Sequence, residues 1–413
     1  MPRLSVNRQR VLQRLRAFSH ITDKAQPYSR VAFSSEYAAG REYLKREMHG
    51  ARLESHIDDG GNLIGRLRGK ASVDAMAVGS HTDTVFGGGR FDGVLGVVAA
   101  LEVVQCIEEA SLALPCDLLV IDFLAEEVGQ WGLSCIGSRA MTGTLPAEAL
   151  RRTDSSGRSL HEALELAGGH PEALESGVPL RRDLKAYLEL HIEQGPVLEA
   201  GGQHIGVVTS VVGINRYELV VWGRASHAGT TPMHMRHDAL VAASSIVATV
   251  HDLTLERARA SEIVATIGRQ EVWPNQGNVV PERVTLLLEV RSEDARAAEQ
   301  LVADIGRAVS ASDSRYGTRT EWRSVSATAA VHFDQQICDS FDAHARRHGL
   351  MTLRIPSGAG HDAAVMSAIT RAGMIFVPSR KGISHHKDEY TSDEHAISGT
   401  QVLLDAVLEV AHG

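Results

Sequence analysis

Histidines and carboxylates recur at several separated places in the 413-residue sequence, next to apolar segments that could form strands. The residues concerned are His81, Asp83, Asp92, Glu126, Glu127, His191 and His385. Imidazole and carboxylate groups are the ligands that zinc, manganese and cobalt prefer. If the fold brings them together, these residues would form a site for divalent cations.

Two of these features suit hydrolytic chemistry. Asp92 lies in a glycine-rich turn, residues 87–93, where a firmly held carboxylate could bridge two cations that otherwise repel each other. Glu126 and Glu127 are adjacent, and like charges raise each other's pKa. A cation on one carboxylate would relieve that repulsion, and the other carboxylate could then accept a proton from water.

Each residue also has an ordinary structural explanation. A histidine at a strand end commonly just reaches solvent, Asp92 could cap the helix that follows it, and the two glutamates could be solvated. The glycine-rich turn could instead hold a phosphate at a helix N-terminus, but it matches neither GxGxxG nor GxxxxGK[ST]. The metal site is favoured because one parallel sheet would gather all of these residues.

The elements that would position them alternate between strand and helix. Strands are predicted at Ala75–Gly79, Asp117–Ala125, Leu184–Leu190 and Met374–Val377, and a long apolar helix ends near Glu109. The more polar residues 140–183 predict short helices. This order predicts an α/β domain with a largely parallel sheet, whose ligands bind beyond the carboxyl ends of the strands. The polar clusters lie at those ends.

A second pattern begins near Val212 and ends near Val331. Its β-α-β-β-α-β order is typical of a small ferredoxin-like α+β domain. We therefore predict that residues 213–330 form a domain inserted between residues 1–212 and 331–413 of the first.

Composition excludes several classes of protein. The net charge is −9, from 42 basic and 51 acidic residues, and no basic block stands out, which argues against nucleic acid as a partner. The longest apolar run, Val94–Val104, is short of the roughly 18–20 residues that span a membrane, and arginines interrupt any N-terminal signal peptide. The four cysteines lack CxxC spacing, which favours reduced thiols in the cytoplasm.

Five motifs resemble a known family. They are residues 79–85 (GSHTDTV), 91–93 (FDG), 126–127 (EE), 191–199 (HIEQGPVLE) and 226–233 (SHAGTTPM). The chain resembles the hydantoinase/carbamoylase branch of the M20 dinuclear metallopeptidase family from about residue 35 to its end. That resemblance implies a catalytic domain with two metal ions (Zn, Mn or Co) per subunit and an inserted domain that acts as a lid and in dimerisation.

The implied reaction is cleavage of the ureido C–N bond of N-carbamoyl-L-amino acids, which gives the L-amino acid, ammonia and carbon dioxide. Allantoate amidohydrolase, ureidoglycolate amidohydrolase and β-ureidopropionase are alternatives, and Ser226 leans slightly towards carbamoylases. A non-catalytic binding protein on the same fold is a further alternative, against which the intact Glu126 and the complete ligand set argue. His191 and Gln194 disfavour an ordinary aminoacylase or dipeptidase.

The resemblance also implies ligands for two metals. His81, Asp92 and His191 correspond to the ligands of one metal, and Asp92, Glu127 and His385 to those of the other. Glu126 corresponds to the general base and Asp83 to the carboxylate that orients His81. His386 could compete with its neighbour, but the spacing of Ser384, His385 and Glu389 favours His385. His361 is expected to start a helix rather than to bind metal.

Substrate contacts are implied as well. Gln194 would contact the ureido group, and His227 would reach across a homodimer to stabilise the oxyanion. Asn278 and Arg291 would hold the substrate carboxylate, with Gly360 providing a backbone contact and Asn275 a weaker candidate. Two departures from the family pattern affect this region: Glu289 replaces a common aspartate, and Lys387 a common proline.

Overall fold

The computed structural model describes residues 4–70 and 74–412. These residues divide into two compact units. The first comprises the described residues up to Thr209 together with those from His332 onward, and the second is Ser210–Val331.

The strands described in the structure are β1 (Glu54–Ile57), β2 (Leu63–Leu67), β3 (Ala75–His81), β4 (Asp117–Phe123), β5 (Leu184–Ile192), β6 (Ile205–Val211), β7 (Gly213–Trp222), β8 (Ser226–His227), β9 (Ile263–Trp273), β10 (Val279–Val280), β11 (Arg283–Ser292), β12 (Arg319–Thr328), β13 (Val331–His332), β14 (Thr352–Ser357) and β15 (Arg371–Val377).

The α-helices are α1 (Arg8–His20), α2 (Ser35–Gly50), α3 (Val94–Glu109), α4 (Ile136–Thr142), α5 (Leu160–Leu166), α6 (Val197–Ala200), α7 (Ala239–Arg257), α8 (Ala295–Tyr316), α9 (Gln335–Arg347), α10 (Asp362–Met366) and α11 (Asp393–His412). Short 3-10 helices occur at Ala147–Arg151, Pro171–Leu174, Met233–Met235 and Arg380–Gly382.

Within the described residues, the first unit is built on a sheet of order β1-β2-β4-β3-β5-β15-β6-β13, with β14 also paired to β6. The four adjacent strands β4, β3, β5 and β15 are parallel, whereas β1, β2 and β6 each run antiparallel to a neighbour. The sheet is therefore mixed rather than largely parallel. The antiparallel strands lie outside the block that carries the polar clusters, and β6 and β14 were not predicted from the sequence.

The central strands are buried because both faces are covered. Every residue of β3 and β4 is buried, and only Lys185 of β5 is exposed, as expected for parallel strands between layers of helices. Thirteen of the sixteen residues of α3 are buried as well. Gly96 lets α3 approach the sheet closely, since a Cβ there would lie 2.4 Å from Leu190 O and 2.6 Å from Ser80 Cβ.

The second unit contains a four-stranded antiparallel sheet of order β12-β7-β11-β9, with α7 and α8 in the chain order β-α-β-β-α-β. Burial alternates along β11, as expected for a sheet with one covered face. Its buried residues, such as Leu286 and Leu288, share a core with Ile246 of α7 and Leu301 of α8.

Helix α7 departs from the prediction that no segment could span a membrane. Its length and hydropathy would allow it to cross one. A third of its most apolar 18-residue stretch is buried inside the protein. The prediction considered unbroken apolar runs, and Ser244, Ser245 and Thr249 interrupt this one. Part of its apolar surface packs in the core of the second unit, through Ala242 and Ile246 among others.

We expect Gly96→Ala to lower the free energy of unfolding by about 1–3 kcal/mol, because the added methyl group overpacks the contact of α3 with β3 and β5. Urea denaturation of the full chain measures this change. Gly50→Ala is the control, since a Cβ at Gly50 meets no atom within 4 Å. Equal stability of the Gly96→Ala chain and the unmodified chain would contradict the close approach.

Candidate metal centre

Adjacent parallel strands bring the predicted ligands to one edge of the sheet. His81 is the last residue of β3, and His191 is the last but one of β5. Glu126 and Glu127 follow β4, and His385 lies in the loop after β15. Because the order is β4-β3-β5-β15, the carboxyl ends of all four strands meet at the same edge.

Asp92 joins two histidines in a first group of ligand atoms. Its Oδ1 atom lies 3.1 Å from His191 Nε2 and 3.7 Å from His81 Nε2. All three residues are buried, and their ligand atoms lie within 4.8 Å of one another. This group matches the ligand set predicted for one metal.

The other oxygen of Asp92 belongs to a second group. Asp92 Oδ2 lies 3.3 Å from His385 Nε2, and Glu127 Oε1 lies 3.1 Å from the same nitrogen. His385 forms the open side of this group, with 46% of its side chain exposed. The two oxygens of Asp92 thus face different groups, as a bridging carboxylate would require.

Main-chain carbonyls orient the two buried histidine rings. His81 Nδ1 donates to Asp83 O at 3.0 Å, and His191 Nδ1 donates to Ile192 O at 2.9 Å. Because a carbonyl oxygen only accepts, each ring holds a proton on Nδ1, and Nε2 is the nitrogen that faces Asp92 and would be free to bind a cation after losing its proton.

Asp83 approaches His81 through both its main chain and its carboxylate. The main-chain oxygen is 3.0 Å from His81 Nδ1, and carboxylate Oδ1 is 3.5 Å from the same nitrogen. Oδ1 and Oδ2 also accept hydrogen bonds from the main-chain N–H groups of Glu126 and Glu127, each at 3.1 Å. The buried Asp83 carboxylate thus lies against His81 and holds the backbone of the two glutamates in place.

The loop that carries Asp92 depends on Gly93. This residue precedes α3 with φ = 63°, and a Cβ there would lie 2.5 Å from the His81 ring. A side chain at this position would be strained and would also displace a ligand.

The carboxylates and histidines of the two groups shift one another's pKa values. Hydrogen bonds to Asp92 and Glu127 raise the pKa of His385 to about 10. Burial alone would lower the pKa of His81, but the carboxylates of Glu126 and Asp83 outweigh burial and raise it well above its usual value. Burial opposes ionisation of Asp92, yet His191 and His385 keep its pKa well below the ordinary range. Three imidazoles and two carboxylates, one of them shared by both groups, fit two divalent cations.

Glu126 stands apart from both ligand groups. It is buried, and its Oε2 lies 3.6 Å from His81 Nε2. Burial, reinforced by the carboxylates of Glu127 and Asp362, raises its pKa well above that of an ordinary glutamate. A carboxylate with high proton affinity beside the ligands can accept a proton from water.

Gln194 lies against the second group. Its Nε2 donates to Asp92 Oδ2 at 2.8 Å and is 3.4 Å from His385 Nε2. The Oε1 atom is buried and has no hydrogen-bond partner among the described residues. This oxygen can accept a donor from a ligand.

His386, the alternative to His385, lies outside both groups. Its side chain is exposed, and Nδ1 is 3.6 Å from Asp388 Oδ2. The backbone of His385 is in the left-handed region (φ = 54°).

Glu189, which the sequence analysis did not single out, and His361 both lie beside His191. Glu189 accepts hydrogen bonds from Ser80 Oγ (2.7 Å), Tyr187 OH (3.0 Å) and Ala363 N (3.0 Å). His361 precedes α10, as expected, but its ring is also buried 4.6 Å from the ring of His191. The sequence signal that could have identified Glu189 is its charge within the largely buried strand β5, two positions before His191. Exposed Gly360 immediately precedes His361.

In the second unit, antiparallel strands β8 and β10 bring His227 beside Asn278. Val279 pairs with His227, and Ala228 N donates to Asn278 O at 2.9 Å. Gly229 N donates to His227 Nδ1 at 3.0 Å, so the neutral ring carries its proton on the exposed side, at Nε2.

The remaining two candidates also belong to the second unit. Arg291 lies on β11, and its Nε donates to Glu289 Oε1 at 2.7 Å. Arg216 binds the other oxygen of Glu289 at 2.6 Å. Asn275 is exposed, in a left-handed backbone conformation (φ = 57°).

Comparison with known proteins identifies the family of the chain. The sequence profile described as peptidase family M20/M25/M40 matches residues 77–409. The N-carbamoyl-L-amino acid amidohydrolase of Geobacillus stearothermophilus is 36% identical over 386 residues, covering 93% of this chain and 94% of that protein. The allantoate amidohydrolase of Bacillus subtilis (strain 168) is 34% identical over 387 residues, covering 93% of each. A crystal structure of a hydantoinase/carbamoylase family amidase from Burkholderia multivorans has a TM-score of 0.92 at 32% identity, covering 100% of both chains.

We expect His385→Ala to reduce the number of tightly bound cations, because it removes one nitrogen from the second group. Cobalt(II) content after dialysis, measured by elemental analysis, gives the result. His386→Ala is the matched control and should retain the cobalt content of the unmodified chain. Loss of cobalt in the His386 variant alone would reverse the assignment.

Proposed function

The chain belongs to the peptidase family M20/M25/M40 and to its hydantoinase/carbamoylase branch, and we propose that it hydrolyses N-carbamoyl-L-amino acids to the L-amino acid, ammonia and carbon dioxide. It is a hydrolase of C–N bonds outside peptides. The observation that carries the proposal is the pair of ligand groups sharing Asp92, with Glu126 beside them but in neither.

The reaction requires strong assistance, because two nitrogens donate electrons into a ureido carbonyl and make it a poor electrophile. We propose that His81, Asp92 and His191 hold one divalent ion (Zn, Mn or Co), and that Asp92, Glu127 and His385 hold the other. Such ions, when bound, polarise a carbonyl and lower the pKa of water.

Glu126 is the proposed general base. It accepts a proton from the attacking water and then delivers that proton to the leaving nitrogen. Glu127 is less suited to this role because its carboxylate contacts His385. Asp83 accepts a hydrogen bond from the main-chain N–H of each glutamate and so fixes the backbone from which the two side chains extend.

Gln194 is the proposed contact for the ureido group. Its Nε2 must face Asp92, because a carboxylate oxygen only accepts, and so Oε1 is left to accept from a ligand. A ureido N–H is a donor of the required kind.

His227 is the proposed oxyanion donor, through its exposed Nε2–H, and Asn278 lies next to it on the paired strand. We propose that His227 acts across a homodimer. A donor of this type is often worth about 3 kcal/mol in the transition state.

The substrate carboxylate is proposed to bind Arg291, whose planar guanidinium suits a carboxylate. Glu289 restrains that guanidinium through Nε. Gly360 and Asn275 are proposed as lesser contacts, and the second unit as a lid. Four buried free cysteines support a cytoplasmic location.

Allantoate is the second candidate substrate, favoured by the similarity to the Bacillus subtilis allantoate amidohydrolase. Ammonia release distinguishes the two. The enzyme loaded with manganese or zinc is offered N-carbamoyl-L-amino acids, their D-enantiomers, N-carbamoyl-β-alanine, allantoate and ureidoglycolate. We expect fastest turnover of the L-carbamoyl compounds. Preference for allantoate or another member of the panel would replace the proposed substrate, and inactivity on all of them despite two bound cations would refute it.

We expect Glu126→Gln to lower kcat by about 100- to 10,000-fold, because the amide cannot accept the proton from water. Steady-state ammonia release measures kcat, and the cation content of the variant serves as the control. Near-normal turnover with both cations bound would rule out Glu126 as the base.

A further inference from the structure

Glu389 is a buried carboxylate that belongs to neither ligand group, yet it touches both segments that form the second one. We propose that Glu389 is a positioning residue, which builds the second group by joining the loop of Asp92 to the loop of His385. This inference rests on the proposed two-cation centre and adds the residue that assembles it.

The first contact of Glu389 is with the backbone beside Asp92. Its Oε1 atom accepts the main-chain N–H groups of Phe91 at 2.8 Å and Asp92 at 3.1 Å. Two main-chain donors thus converge on one buried carboxylate oxygen. They hold the peptide that carries the shared ligand.

The second contact reaches the residue before His385. Ser384 Oγ lies 2.9 Å from Glu389 Oε2 and also 2.9 Å from Asp92 Oδ2. Asp92 Oδ2 is the oxygen that faces His385, whereas Oδ1 faces His81 and His191. The connection therefore acts on the second group more directly than on the first.

Gly89 provides the space for this carboxylate. A Cβ at Gly89 would lie 1.9–2.0 Å from the carboxylate atoms of Glu389. The backbone of Gly89 is not in the left-handed region, so alanine is excluded there by Glu389 rather than by φ. Glu389 can therefore occupy this position only because residue 89 has no side chain.

Ring contacts join the same loops independently. The Arg90 guanidinium lies 5.1 Å from the Phe91 ring centre and 5.7 Å from that of Tyr390, and the two rings pack edge to face at 6.0 Å. These contacts remain when Glu389 is removed, so its loss should disturb the ligands without unfolding the protein.

Cobalt(II) titration of the metal-free full chain tests the proposal, with binding followed by visible absorption and calorimetry. We expect Glu389→Ala to weaken one of the two binding steps by about 10- to 100-fold, the range usual for residues that orient metal ligands, and to change the other step much less. Glu389→Gln should restore most of the affinity, because its oxygen can still accept both N–H groups and its NH2 can donate to Ser384 Oγ.

Glu199→Ala is the matched control. Glu199 Oε2 also accepts a main-chain N–H from the C-terminal loop, that of Lys381 at 2.6 Å, but it contacts no residue of the Asp92 loop in the described hydrogen bonds. We expect its cobalt binding to match that of the unmodified chain. A general effect of loosening the loop would appear in this variant too.

The Gly89→Ala variant gives an independent test. It should weaken the same binding step as Glu389→Ala, and the double variant should be no weaker than Glu389→Ala alone, because the collision disappears with the carboxylate. If the losses of affinity in Gly89→Ala and Glu389→Ala were additive in the double variant, the proposal would be overturned. It would also be overturned if Glu389→Ala left cobalt binding unchanged or weakened both steps equally, or if Glu389→Gln failed to restore binding. Fewer than two cobalt ions in the unmodified chain would instead refute the two-cation centre, and this inference with it.

Discussion

The carboxylate of Asp92 lies between the rings of His191 and His385, with one oxygen directed at each. Burying a charge is costly unless it is paired, so this position depends on everything that surrounds the carboxylate. The imidazoles lower its pKa, Gln194 donates to it, and the N–H groups of its own loop are held by Glu389. Two cations placed on its two oxygens would replace the histidine protons as the compensating positive charge.

The sheet provides the rigidity that this arrangement needs. Strands β4, β3, β5 and β15 are parallel neighbours, and β3, β4 and β5 are buried almost throughout. Ligands carried at the ends of such strands have little freedom to move. The main-chain carbonyls that orient His81 and His191 belong to the residues just beyond or within the same strand ends. The fold therefore sets both the positions and the tautomers of the two rings.

The different positions of the adjacent carboxylates of Glu126 and Glu127 are the feature most relevant to hydrolysis. Asp83 accepts both of their N–H groups, so their side chains leave the backbone from fixed points. Glu127 then reaches His385, while Glu126 lies nearer His81 and is almost fully buried. The two carboxylates therefore differ in the histidine that each one meets, although the residues are adjacent.

The sequence by itself determined the ligand types, the alternating α/β pattern and the motifs of the branch, because these depend on residue identity and local spacing. His81 and His191 could be placed at strand ends for the same reason. Only the tertiary structure decided that Asp83 accepts hydrogen bonds from the N–H groups of both glutamates, that the two oxygens of Asp92 face different histidines, and that Glu389 occupies the space beside Gly89. These are contacts between segments up to 300 residues apart, or choices of direction within a loop, and no local pattern encodes them.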